Sequence, residues 1–87
     1  VNPRYSLAYN NLGLAYMKMN RDKDAADAFS NAIKYSPNYA DAYYNLGLVL
    51  TKLKDKKKAV ESFQEVIRLL PNSDMARSAQ EKLNLLK

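Results

Sequence analysis

Two clusters of side chains in this sequence could do chemistry. Asp22, Asp24 and Asp27 bring three carboxylates close together, the oxygen-rich pattern of a hard-cation site. They also fall where a helix is expected to begin, and the helix dipole favours acids there without any ion. Lys52, Lys54, Lys56, Lys57 and Lys58 gather positive charge that could meet an acidic partner or a phosphate backbone. No aromatic or arginine side chain is interleaved with them. A solvated turn accounts for the run, and nucleic acid is not expected. The 87 residues carry 14 Lys and Arg against 9 Asp and Glu, a net charge of +5, with neither His nor Cys. Without histidine the usual general base and metal ligand are missing. Without cysteine there is no thiolate site or disulfide, and the redox compartment is unreadable. No glycine-rich phosphate loop is present either. The reading is of a protein that is not an enzyme and uses no cofactor or metal. No apolar run approaches the roughly 18 to 20 residues of a membrane span, so no membrane partner is expected.

The elements that carry these residues recur. The prolines stand at 3, 37 and 71 and the glycines at 13 and 47, all 34 residues apart. Sliding residues 3–36 onto 37–70 matches Pro, Tyr, Ala, Tyr, Asn, Leu, Gly, Leu, Lys, Lys, Ala, Phe and Ile, 13 identities in all. Such a period is the signature of a stacked repeat. Tyr9, Leu12, Gly13 and Tyr16 keep to one side of a helix, as do Ala25, Phe29, Ala32 and Ile33. The phase breaks around Asn20–Asp22, so each repeat is two helices joined by a short turn. The expected spans are 6–19, 22–35, 40–53, 56–69 and 74–86. Each proline ends a second helix, since it lacks an N–H and disfavours helix in the residue before it. The fold class is therefore all-α: an α-solenoid of two antiparallel helix hairpins plus a C-terminal solvating helix, five helices in one domain. Repeat 1 is placed at about 6–39, repeat 2 at about 40–73 and the capping helix at about 74–87. Gly13 and Gly47 each cost a helix about 1 kcal/mol against alanine, which is sensible only where a neighbour comes too close for a side chain. Arg77, Gln80 and Glu81 occupy the last helix where Tyr43, Leu46 and Gly47 stand in the second repeat, giving the polar outer face a terminal cap needs. Met75, Ala76, Ala79, Leu83 and Leu86 form its inward stripe. Val1–Tyr5 aligns with Tyr35–Tyr39 and reads as the tail of an earlier repeat, as if cut from a longer array.

This pattern resembles the tetratricopeptide repeat family over about residues 3–71. The first repeat matches at Tyr9, Leu12, Gly13, Tyr16, Ala25, Phe29, Ala32 and Pro37. The second matches at Tyr43, Leu46, Gly47, Ala59, Phe63 and Pro71, with Leu50 and Val66 departing from the family's Tyr and Ala. The family usually has Gly between paired helices; here Asn20 and Lys54 stand there, and Lys takes left-handed geometry at a cost. The second turn is the strained one, with Lys56–Lys58 opening a helix and only Asp55 to cap it.

The resemblance implies a concave groove, lined by the first helix of each repeat, that holds an extended peptide or a helix. Its residues here would be Asn10, Asn11, Leu14 and Met17 with Leu7, then Asp41, Tyr44, Asn45, Leu48 and Lys52 with Thr51. Met75, Ser78, Ala79 and Lys82 would extend it. Asn11 and Asn45 recur, and an amide both donates to and accepts from a peptide backbone. Tyr44 and Asn45 are expected to matter for binding and little for stability. One subgroup of the family clamps the carboxylate end of chaperone tails. The matching places hold Asn10, Leu14, Asp41 and Asn45, of which only Asn45 agrees, so no chaperone-tail binding is expected. The expected role is a protein-protein interaction module. The alternative is a structural or engineered repeat scaffold that self-associates as a homo-oligomer, without a dedicated ligand.

Overall fold

The computed structural model describes residues 2–86. It contains five helices: α1 (Pro3–Lys18), α2 (Asp22–Tyr35), α3 (Ala40–Lys52), α4 (Lys56–Leu69) and α5 (Asp74–Leu86). The all-α solenoid expected from the 34-residue period is the observed architecture, and four of the five helices begin at the expected residue.

The exception is α1, which starts three residues before the expected Ser6. Asn2 supplies the reason. Its Oδ1 accepts from the backbone N–H of Arg4 at 3.2 Å and of Tyr5 at 3.4 Å. Pro3 then sits at the first helical position, where a missing N–H costs nothing. So Pro3 opens a helix here, whereas Pro37 and Pro71 follow the ends of α2 and α4 as expected. Asn2–Tyr5, expected to be the tail of an earlier repeat, here cap and open α1; Val1 lies outside the described residues. At the matching place in the second repeat, Ser36 caps the end of α2, and its hydroxyl is taken up by Ser6.

The core has two parts. Phe63, Ala59, Val66, Leu50, Ala79 and Leu83 cluster where α3, α4 and α5 meet. Ala25, Phe29 and Val49 form a smaller cluster between α2 and α3. Both phenylalanines are fully buried, each stabilising the fold by up to about 3 kcal/mol. They also explain the glycines. A Cβ on Gly13 would lie 2.5 Å from Phe29 Cε1, and one on Gly47 would lie 2.7 Å from Phe63 Cε1. The ring of the paired helix occupies the space a side chain would need.

The hairpin turns carry the expected strain: Asn20 has φ 60° and Lys54 has φ 66°. Asp55 caps α4, accepting from Lys58 N–H at 3.3 Å, and Ser73 Oγ caps α5, accepting from Ala76 N–H at 2.9 Å. The inward stripe of α5 packs through Ala76, Ala79 and Leu83, while Arg77, Gln80 and Glu81 face solvent.

Candidate functional site

The two sides of the solenoid are unlike. On one side α1 and α3 touch directly, with Asn45 Nδ2 donating to Asn10 Oδ1 at 3.1 Å. On the other, α2 and α4 splay apart around a cleft of about 450 Å³ floored by Tyr43, Leu46 and Leu50 of α3. The α1–α3 side is thus the inner one, and first helices line it.

The expected groove residues divide into two sets there. Asn11, Leu14 and Asp41 are exposed, and Leu48 is half-buried at the surface. Asn10 is not available: it is 5% exposed, spent on Asn45. Asn45 is half-buried by the same bond, so its amide serves helix–helix packing first. Met17 packs on the cluster of Ala25, Phe29 and Val49. Tyr44 lies edge-on to Phe63, with ring centroids 5.7 Å apart, and packs half-buried against the core. The expectation that Tyr44 and Asn45 matter little for stability is therefore corrected. Lys52 is tied to the inter-helix seam, its Nζ 3.3 Å from Asp22 Oδ1. The ammonium lies off the hydrogen-bonding direction, and that buried oxygen has no other donor among the described residues.

The surface has two hollows along this face. One, of about 210 Å³, is lined by Leu48, Thr51, Phe63, Lys82, Leu85 and Leu86. It is apolar, with Lys82 as its single charge. Thr51 spends its hydroxyl proton on the Gly47 carbonyl at 2.8 Å. The other, of about 400 Å³, lies at the start of α1 among Pro3, Ser6, Leu7, Pro37 and Tyr39. Burial, and next the Asp41 carboxylate, push the Tyr39 phenol up from its ordinary range, against a hydrogen bond from Asn10.

The two charged clusters resolve into two ion pairs and otherwise exposed side chains. Arg21 holds Asp24 at 2.6 Å, Asp22 faces Lys52, and Asp27 is exposed. Lys54 and Lys56–Lys58 are exposed. Among the described residues no group of His, Cys, Asp or Glu is placed to hold a metal ion. No helix there is long and apolar enough to cross a membrane.

Stacked hairpins with a Gly against a Phe in each are a family arrangement, and the sequence agrees. A sequence model described as tetratricopeptide repeat matches residues 2–74. The chain belongs to this family. Tetratricopeptide repeats are protein-interaction modules, and the fold is of that kind. The crystal structure of MamA is 31% identical at a TM-score of 0.78, covering 98% of this chain and 52% of that one. The chain thus spans about half of MamA. The Arabidopsis OM64 TPR domain superposes with a TM-score of 0.84 at 21% identity, covering 97% of this chain and 69% of that one. A tetratricopeptide repeat domain protein from Salinibacter ruber gives 0.85 at 17% identity, covering 100% and 91%. The last two share the fold alone. No curated protein matches the chain in sequence.

Leu85, 80% exposed, lines the smaller hollow and was not singled out by sequence reasoning. The signal was present. Leu14, Leu48 and Lys82 recur at steps of 34, and Leu85 stands 34 residues after Thr51. The larger hollow had no such signal, because the Ser6–Ser36 contact that shapes it has no counterpart in the repeat pattern.

Proposed function

We propose that this chain binds an extended peptide or a helix along the inner face of α1, α3 and α5, and has no catalytic role. The observation that carries the reading is a line of leucines left at the surface on that face. Leu7 is 54% exposed, Leu14 38% and Leu85 80%, with half-buried Leu48 between them. Leucine is left exposed in a row at a cost in water, and such patches mark contact surfaces. Asn11 stands exposed among them with donors and an acceptor for a peptide backbone. Charge gives the face a direction: Asp41 stands at the start of α3 and Lys82 at the rim of the smaller hollow. A ligand with aliphatic residues over the leucines and an acid near Lys82 fits best.

A tetratricopeptide repeat of Spaghetti (RPAP3), 17% identical with a TM-score of 0.50, was solved bound to the HSP90 peptide SRMEEVD. That acidic tail suits this chain poorly, since Asp41 would repel it. The same peptide is expected to bind here no tighter than about 1 mM.

The test is selection from a random peptide library on the immobilised protein, followed by titration of the winners. Aliphatic peptides should be enriched. Leu14→Glu and Lys82→Glu should each weaken them by about tenfold or more while leaving the melting curve in place. Winners that bind both variants unchanged would remove the groove from the account.

A further inference from the structure

On the side of the solenoid away from the leucine line, the cleft between α2 and α4 pairs an apolar floor with charged walls. Tyr43, Leu46 and Leu50 make the floor, and Asp27 of α2 and Glu61 of α4 stand on the two walls. These two acids are 34 residues apart, the same place in two successive second helices. Both are exposed, and neither makes an ion pair among the described residues. Glu65 also lines the cleft but is held by Arg68 at 2.7 Å. Lys58 is the one cation of the lining. A chain with a net charge of +5 thus keeps a cleft lined by three acids and one cation.

Acids on a helix surface are ordinary, but two breaks in the repeat set this cleft apart. The first is Ser62. It is 6% exposed, lines the cleft, and its hydroxyl makes no hydrogen bond among the described residues. Its oxygen is not fully enclosed, so it opens onto the cleft. The counterpart of Ser62 in the first repeat is Ala28, so packing at this place needs only a methyl. A buried hydroxyl without a partner is destabilising, and a donor lying in the cleft removes that cost. The second break is Tyr43. Its counterpart Tyr9 is stacked on Tyr35, with ring centroids 5.7 Å apart. Leu69 stands in the place of Tyr35, and the half-buried ring of Tyr43 has no aromatic or cationic partner among the described residues. Burial, and next the Glu65 carboxylate, hold its phenol above the ordinary range, against Arg68.

We propose that this cleft receives an arginine side chain from a basic segment of a partner protein. The stem lies on Leu46 and Leu50, and the guanidinium stacks on Tyr43, donates to Ser62 Oγ and pairs with Asp27 and Glu61. Arginine fits better than lysine, because a planar guanidinium forks onto several acceptors and stacks on a ring, whereas an ammonium is strongly hydrated. The molecule already holds one such stack: the Arg21 guanidinium lies 5.0 Å from the centroid of the Tyr16 ring. Exposed carboxylates alone attract any cation weakly, so Ser62 and Tyr43 give the cleft its selectivity.

The probe is a capped pentapeptide with one arginine between glycines, titrated into the whole isotope-labelled chain and followed by amide chemical shifts. Saturable shifts are expected at Ala26, Ser30, Leu50 and Ser62 with a Kd of about 1 mM, and none at Asn11 or Lys82. The same peptide with citrulline, alike in shape but uncharged, should bind about tenfold more weakly, and the lysine peptide several-fold more weakly. Ser62→Ala should weaken the arginine peptide by about threefold to tenfold without lowering the melting curve. Asp27→Asn combined with Glu61→Gln should weaken it by about tenfold or more. No saturation up to about 20 mM, or citrulline or lysine peptides bound as tightly, would overturn the proposal. So would unchanged binding by Ser62→Ala, which would reduce the cleft to a patch of surface acids.

Discussion

The first and second hairpins share a frame of identical residues but differ in what lies outside them. α3 has α2 on one side and α4 on the other, so Val49 is fully buried and Leu46 half-buried. α1 has α2 on one side and meets α3 only along its inner edge, and Leu12, matched to Leu46, is 41% exposed. The same leucine in the same helical register is half-buried in one place and exposed in the other. Burial in a repeat protein is thus a property of the neighbour as much as of the residue, as nearest-neighbour stacking requires.

The sharpest way to break that comparison is to put a charge at matched places. Val49→Asp strands a carboxylate among Ala25 and Phe29 and should cost about 4 kcal/mol or more. Ala15→Asp, one repeat earlier, should cost within about 1 kcal/mol, mostly helix propensity. Urea melts followed by circular dichroism read both. Equal losses would show that α1 is covered in solution. Next in size are the glycines, where the two hairpins should agree. Gly13→Ala and Gly47→Ala each drive a methyl into a fully buried ring, for a net loss of about 2 kcal/mol. Adding Phe29→Leu to the first should recover part of it, since the two sites are in contact. A third contrast is the lysine at the end of each seam. Lys52→Met leaves the buried Asp22 Oδ1 without its cation and should cost about 1 to 3 kcal/mol. Lys18→Met should change stability by less than about 0.5 kcal/mol.

The repeat made most of the fold legible. Steps of 34 residues fixed the helix pairs, and the glycines announced close packing before the Phe rings were seen. What escaped was whatever broke the period. Asn2 lengthened α1 because it is a better cap than its counterpart Ser36, whose hydroxyl is engaged by Ser6. In the groove, helical position told which residues face inward but not which spend their polar atoms on each other. Asn10 and Asn45 are a step of 35 apart, off the repeat by one, and so the bond between them was invisible to a period search. The packing role of Tyr44 escaped for a related reason: a side chain long enough to reach Phe63 from the rim of the face packs against the core whatever its register.

The smallest contrast lies in the two hairpin turns, both of which use left-handed backbone. Asn20, at φ 60°, has a short polar side chain that tolerates this region. Lys54, at φ 66°, does not, and an ordinary side chain there costs about 1 to 2 kcal/mol. Glycine removes that cost but adds chain entropy to the unfolded state, so only part of the gain survives. Lys54→Gly should therefore raise stability by about 1 kcal/mol, and Asn20→Gly by a few tenths at most. The gain at Lys54 is tied to conformation and not to its charge, although Lys56–Lys58 follow it. Lys54→Asn should then recover roughly half of the glycine effect, while Lys54→Gln, uncharged but still costly at positive φ, should recover almost none. Urea midpoints of the three variants separate the two causes: a Gln variant as stable as the Gly variant would place the strain of this turn in its crowded lysines.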